Sequence, residues 1–130
     1  MASSELPDHD SASLKLDQAL GNCGQHLALL QGEIAQALSG EDMEKLSDIS
    51  QILVWQPELV KLCQESILGR LPTAALRLGV ELNKQINLLS IDGQQLKIAR
   101  QVNTQKLRLQ QMQNRLKLIR EYIGQLQVQL

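Results

Sequence analysis

The side chains best suited to metal or thiol chemistry here are His9, His26, Cys23 and Cys63. A structural zinc site needs four nitrogen or sulfur ligands, usually supplied as closely spaced pairs. His26 finds no second ligand three or four residues ahead, where Leu29 and Leu30 stand, and His9 lies in a polar leader. Cys23 and Cys63 are far apart in the chain, and no further cysteine completes a zinc or dithiol motif. Both fall on apolar helical stripes, which favours small buried hydrophobes in a reducing compartment over a disulfide between them. Glu41, Asp42 and Glu44 have the group type for acid–base catalysis, but they stand where a helix starts, and carboxylates there serve its positive dipole end. With no phosphate-cradling glycine loop and no nucleophile elbow, the residues describe no enzyme, no metal site and no cofactor site.

The elements that hold these residues are helices. The chain has 130 residues, enough for one domain with a single core. It has no Phe, one Trp and one Tyr, while Leu, Ile, Gln and Ala abound, so the core is aliphatic and built by helices rather than strands. The fold class this predicts is all-α: an elongated antiparallel bundle of three to four helices with coiled-coil-like packing. Residues 1–12, polar and without periodicity, read as a disordered leader, and residues 13–130 as the bundle. No apolar run reaches the eighteen or so residues of a membrane span, and the N-terminus lacks the apolar stretch of a signal peptide. The expected location is therefore cytoplasmic, with no membrane insertion.

Capped by Ser11 or Ser13, a first helix carries Leu16, Leu20, Cys23, Leu27, Leu30, Ile34 and Leu38 on one face at steps of four and three. Gly21, Gly24 and Gly32 weaken it; each is either tolerated or marks the close approach of another helix or a ligand. Ser39-Gly40-Glu41-Asp42 ends that helix and starts the next, which predicts a helical hairpin. The second helix runs through Met43, Leu46, Ile49 and Leu53, resumes at Val60, Cys63 and Ile67, and is expected to kink or break near Pro57. Trp55, beside that break, either fills the gap it opens or anchors a partner. Gly69 to Thr73 leads into a third helix on which Ala75, Leu78, Leu82, Ile86 and Leu89 face the core. At Asp92-Gly93 the register slips, and the preferred reading is a helix that continues, straight or slightly bent, into the strong helix formers Gln94 to Ala99.

The last stretch, Ile98 to Leu130, reads as one long helix. Ile98, Val102, Leu109, Met112, Leu116, Ile119, Ile123, Leu126 and Leu130 alternate in steps of four and three with a gap at Gln105, the pattern of a heptad seam. Such a seam must lie against helices of the same chain, a second copy or a partner. Met112, Leu116, Ile119, Ile123, Leu126 and Leu130 are therefore the candidate partner-binding residues, and Leu96, Leu107 and Leu118 on the opposite face are a candidate second surface. On this reading, loss of residues 119–130 leaves the bundle folded and abolishes partner binding.

Of 13 Lys/Arg and 14 Asp/Glu, seven basic residues and one acidic residue fall after residue 93, so the two parts of the chain differ in sign. Lys97, Arg100, Lys106, Arg108, Arg115, Lys117 and Arg120 suit a nucleic acid or an anionic membrane surface, or else the acidic flanks of the earlier helices. Internal pairing is preferred over nucleic acid, because a single-strand binder interleaves stacking aromatics and this helix offers only Tyr122.

The run Leu30-Gln31-Gly32-Glu33-Ile34-Ala35-Gln36-Ala37-Leu38, followed by Ser39-Gly40-Glu41-Asp42-Met43-Glu44-Lys45-Leu46, resembles the first helical hairpin of the flagellar export chaperones of the FlgN and FliT types. Leu82-Asn83-Lys84-Gln85-Ile86-Asn87-Leu88-Leu89 is similar to the leucine-asparagine segment in the third helix of FlgN-like proteins. The resemblance implies a small cytoplasmic chaperone that binds a terminal helix of a secreted flagellar or type III subunit. It further implies that the chaperone prevents premature assembly, delivers its client to an export-apparatus component and has no catalytic residue. Two other readings use the same residues: a self-associating coiled-coil scaffold that closes its seam as a homodimer, and a nucleic-acid or membrane-surface adaptor working through the basic last helix.

Overall fold

The structure is a computed structural model that describes residues 7–39, 49–67 and 70–129. Four helices, α1 (Pro7–Leu38), α2 (Ser50–Ser66), α3 (Leu76–Ile98) and α4 (Val102–Gln129), dominate it, and there is no strand among the described residues. Neighbours in sequence pack on one another and α4 returns to α1, closing a ring of four helices around one core. Gln31 of α1 meets Gln113 and Arg120 of α4, while Leu20 to Ala28 lie beside Arg120 to Gln127, so rising numbers on one helix face falling numbers on the other.

The apolar rows do the packing. On α1, Leu16, Leu20, Cys23, Leu27, Leu30 and Ile34 are all buried, as their spacing predicts, and Leu38 is half-buried. Ala75, in the 3-10 turn just before α3, and Leu82, Ile86 and Leu89 on α3 are buried, Leu78 is half-buried, and the row continues through Gly93 and Leu96. α1 starts at Pro7, ahead of the expected caps at Ser11 and Ser13. Proline suits a first helical position, where its missing N–H would have had no partner. Ser39 closes α1, its N–H donating to the Ala35 carbonyl at 3.0 Å and its hydroxyl to the Gln36 carbonyl at 3.0 Å. Of the expected disordered leader, residues 7–12 belong to α1 instead; residues 1–6, the hairpin turn from Gly40 through Met43 and Leu46 to Asp48, the step at Gly69, and Leu130 lie outside the described residues.

Two departures from the sequence reading concern breaks. α2 runs unbroken through Pro57. Pro57 is on the exposed face, where water can serve the carbonyl that its missing N–H leaves open. α3 runs unbroken through Asp92-Gly93, as the preferred reading has it, and the long last helix forms but starts at Val102 rather than Ile98, because Ala99 to Gln101 reverse the chain. Ala99 is extended (φ −69°, ψ 126°), and the Gln105 side chain donates to its carbonyl at 3.0 Å. Ile98 is left 75% exposed, while Leu96 is buried on α3 rather than aligned with Leu107 and Leu118.

A polar layer crosses the aliphatic core. Gln56 of α2, 4% exposed, donates its amide N–H to the Leu89 carbonyl of α3 at 2.5 Å. It fits because residue 93 is glycine; a Cβ there would lie 2.2 to 2.5 Å from the Gln56 amide atoms. One residue away, Asp92 receives Arg115 Nε of α4 at 3.1 Å, and Arg115 Nη1 donates to Gln85 Oε1 at 3.3 Å.

Two measurements check this packing. Gly93→Ala gains about 1 kcal/mol of helix propensity but drives the Gln56 amide from its carbonyl, at a cost of about 1–3 kcal/mol. Urea unfolding should show a net loss of about 1 kcal/mol, and in a Gln56→Ala background the same change should stabilise by about 1 kcal/mol; an equal effect in both backgrounds would refute the close approach. Truncation after Leu118 removes Ile119, Ile123 and Leu126, each at most 3% exposed. At about 2 kcal/mol each, roughly 6 kcal/mol leaves a fold whose total stability is on the order of 5–15 kcal/mol. The truncated chain is expected to lose its cooperative thermal transition, contrary to the sequence reading, and circular dichroism will show whether it does.

Candidate functional site

The residues that the seam nominated for a partner are occupied. Met112, Leu116 and Ile119 are fully buried, Ile123 is 3% and Leu126 1% exposed, and α1 and α3 of the same chain flank α4. The heptad pattern reports a covered face without saying which chain covers it, and here the cover is internal. Leu130 lies outside the described residues. Of the second surface, Leu107 and Leu118 are 52% and 38% exposed, three helical turns apart with Gln110 and Asn114 exposed between them, and Leu96 belongs to the core. The expected internal charge pairing is met at one place among the described residues, Arg115 with Asp92. Arg108 and Arg120 donate instead to the side-chain oxygens of Gln111 and Gln31, at 3.0 and 2.7 Å.

An open groove of about 500 Å³ runs between α1 and α2, lined by His26, Leu29 and Leu30 on one wall and Trp55, Glu58, Leu59 and Leu62 on the other. Helical spacing builds the second wall: Ile52, Trp55, Leu59 and Leu62 follow one edge of α2, with Ile52 and Leu59 buried and Trp55 on the rim. Leu29 is 60% exposed, Trp55 37%, and Val54, beside Trp55 in sequence, 57%. Apolar side chains left in water along a concave strip are the usual mark of a contact surface. Glu58 is the one carboxylate among the lining residues. His26 Nδ1 lies 2.8 Å from the Asn22 carbonyl, and since a carbonyl only accepts, Nδ1 is the donor.

Trp55 lies on the rim of the groove, 37% exposed, and does not plug a broken helix, because α2 runs unbroken past it. Ile52 and Leu59, which set its position, escaped the sequence analysis because they stand outside the row through Leu53, Val60 and Cys63. Cys23, three residues before His26, stands at a ligand spacing, but Cys23 is buried and His26 exposed, and no three His, Cys, Asp or Glu converge among the described residues. Cys23 on α1 and Cys63 on α2 are both buried. Interaction with the Cys63 side chain holds Cys23 below the ordinary thiol value against the opposing effect of burial. Interaction with Cys23, reinforced by burial, pushes Cys63 up.

A second, smaller groove of about 300 Å³ lies between α1 and α4, where Gly21, Gly24 and Gly124 leave the helices without side chains to interlock. Nearby, Gln113 donates to the Gln31 carbonyl at 3.0 Å while its Oε1 is buried with no partner among the described residues.

No protein-family model matches this chain, and no curated protein or solved structure matches it significantly.

The two roles of Trp55 predict different energetics. Removing a fully buried Trp costs about 3–5 kcal/mol. Trp55→Ala is expected to cost less, about 2 kcal/mol, because the residue keeps 37% of its surface in water. A larger loss in urea unfolding would return Trp55 to the core.

Proposed function

We propose that this protein is a helical carrier of the FlgN/FliT export-chaperone kind, and that its α1–α2 groove holds an amphipathic helix of a secreted flagellar or type III substrate. On this reading the bundle is an antiparallel, coiled-coil-like scaffold working in the cytoplasm. It covers an apolar face of the client until an export-apparatus component receives it. The observation that supports this most directly is the half-exposed Trp55 facing Leu29 across an open apolar groove. Large aromatics in such settings are the residues that concentrate binding energy, and a helix laid in a groove buries its own apolar row against them. Glu58 on the rim favours an occupant with a basic residue beside its apolar row.

This moves the proposed contact from α4 to α1 and α2. It also weakens the scaffold reading, because the seam that was to close a dimer is spent inside the monomer.

The test uses synthetic peptides carrying the terminal helices of secreted flagellar subunits. Binding should shift the emission of Trp55, the single Trp of the chain, to shorter wavelength. Trp55→Ala, followed by calorimetry, should weaken binding roughly 30-fold, the equivalent of about 2 kcal/mol for an aromatic anchor. Leu29→Glu should do likewise. Binding that survives both changes, or no binding by any peptide, would sink the proposal.

A further inference from the structure

The reversal between α3 and α4 gathers cations and bare aliphatic side chains in one place. Lys97 and Ile98 end α3, Arg100 sits in the reversal, and Lys106, Leu107 and Arg108 lie in the first two turns of α4. Ile98 is 75% exposed and Leu107 52%, and Lys97 and Arg100 are exposed beside them. The tip is held in shape: the Ala99 N–H donates to the Gln95 and Leu96 carbonyls at 3.1 and 3.2 Å, while the Gln105 amide donates to the Ala99 carbonyl from α4. Residues 93–120 contain seven Lys/Arg and no Asp/Glu, and among the described residues no carboxylate pairs with the four cations of the tip. We propose that this tip docks on an anionic lipid bilayer, with Ile98 and Leu107 entering the headgroup region and Lys97, Arg100, Lys106 and Arg108 pairing with lipid phosphates. The inference goes beyond the carrier reading and stands without it.

The chain as a whole has a formal charge of −1, so an anionic surface attracts it only where its cations are gathered. Each Lys or Arg brought to such a surface strengthens binding about fivefold, and four together by roughly several hundredfold. A cationic tip also suits nucleic acid, but the apolar residues here favour lipid. Ile98 and Leu107 are aliphatic, gain by leaving water and cannot stack on bases, and Tyr122, the single tyrosine, lies about five turns along α4 from its start. The cations also flank the aliphatic residues in sequence: Lys97 precedes Ile98, and Lys106 and Arg108 bracket Leu107. That order lets apolar side chains sink while the charged heads stay at the level of the phosphates. The contact is with a surface; no helix among the described residues is long and apolar enough to cross a membrane.

Glu41, Asp42, Glu44 and Asp48 lie outside the described residues. Were those carboxylates to hold the cations of the tip, an anionic vesicle would find no free charge there, and the first measurement below would show it. The groove that holds Trp55 is built by α1 and α2, so Trp55 serves as a control within the same chain.

The experiment floats the full chain with vesicles of phosphatidylcholine, either alone or mixed equally with phosphatidylglycerol. The protein should rise with the mixed vesicles, stay behind with the neutral ones, and lose binding as salt is raised. Lys97→Gln, Arg100→Gln and Lys106→Gln together should weaken binding roughly 100-fold. Ile98→Ser with Leu107→Ser should weaken it about tenfold. All five side chains are exposed or half-buried, so these variants should keep the helical circular dichroism of the wild type. Ile98→Trp in a Trp55→Phe background should shift its emission to shorter wavelength on the mixed vesicles and be quenched by brominated acyl chains, whereas Trp55→Ala should bind vesicles as the wild type does. Equal binding to both kinds of vesicle, binding to neither, full affinity in the triple variant, loss of vesicle binding in Trp55→Ala, or single-stranded DNA bound in place of vesicles would each overturn the proposal.

Discussion

A carboxylate shut away from water must have a cation against it, and Asp92, 5% exposed, has Arg115 at 3.1 Å. Sliding α4 along α3 by one turn would move that cation about 5.4 Å and leave a bare buried charge, which costs several kcal/mol. The rest of the interface is leucine, isoleucine and methionine, which pack almost as well in a neighbouring register. Gln56 does for α2 and α3 what Arg115 does for α3 and α4. Its amide reaches the Leu89 carbonyl only where Gly93 makes room, so one position of α2 along α3 is satisfied and its neighbours are not. The net stability from such groups is small, because burying them offsets most of what their contacts return. Their effect is on the alternatives: three helices are held at one level by groups that become unsatisfied anywhere else.

Apolar periodicity was readable because it follows from helix geometry alone. The rows through Leu20 to Ile34, Leu82 to Leu89 and Leu109 to Leu126 are buried as spacing predicts. Interruptions were harder. Pro57 looks like a break on backbone chemistry, yet packing on both sides carries the helix past it. The turn at Ala99 to Gln101 had no glycine or proline to announce it. Its trace in the sequence was the gap in the heptad at Gln105, whose side chain ties down the turn instead of entering the core. The slip near Gly93 has the same origin: the third-helix row simply runs on to Leu96, and a new row begins after the reversal.

The candidate site was less legible than the fold. A seam states that a face is covered and is silent on which chain covers it, so α4 could be read as a docking surface when it is core. Gln56, Gln85 and Asp92 are polar types that a pattern search assigns to solvent; only the facing helices reveal why they are inside. The two cysteines were recognisable as buried, because each sits on the apolar row of its helix. Trp55 was noticed as an oddity of composition, and its exposure follows from its place on the flank of the row through Ile52 and Leu59.

The three-residue link between α3 and α4 also bears on how the chain assembles. Closing a short loop loses little entropy, so α3 and α4 can pair early and bring Asp92 to Arg115 while the rest of the chain is unformed. The α1–α4 contact joins Gln31 to Arg120, 89 positions apart, and can close only after the other helices are in place. That last interface is also the one with facing glycines and the unpaired Gln113 oxygen. With grooves on both of its flanks, towards α2 and towards α4, α1 is the element that would leave the ring first, as a unit, while the α3–α4 pair persists.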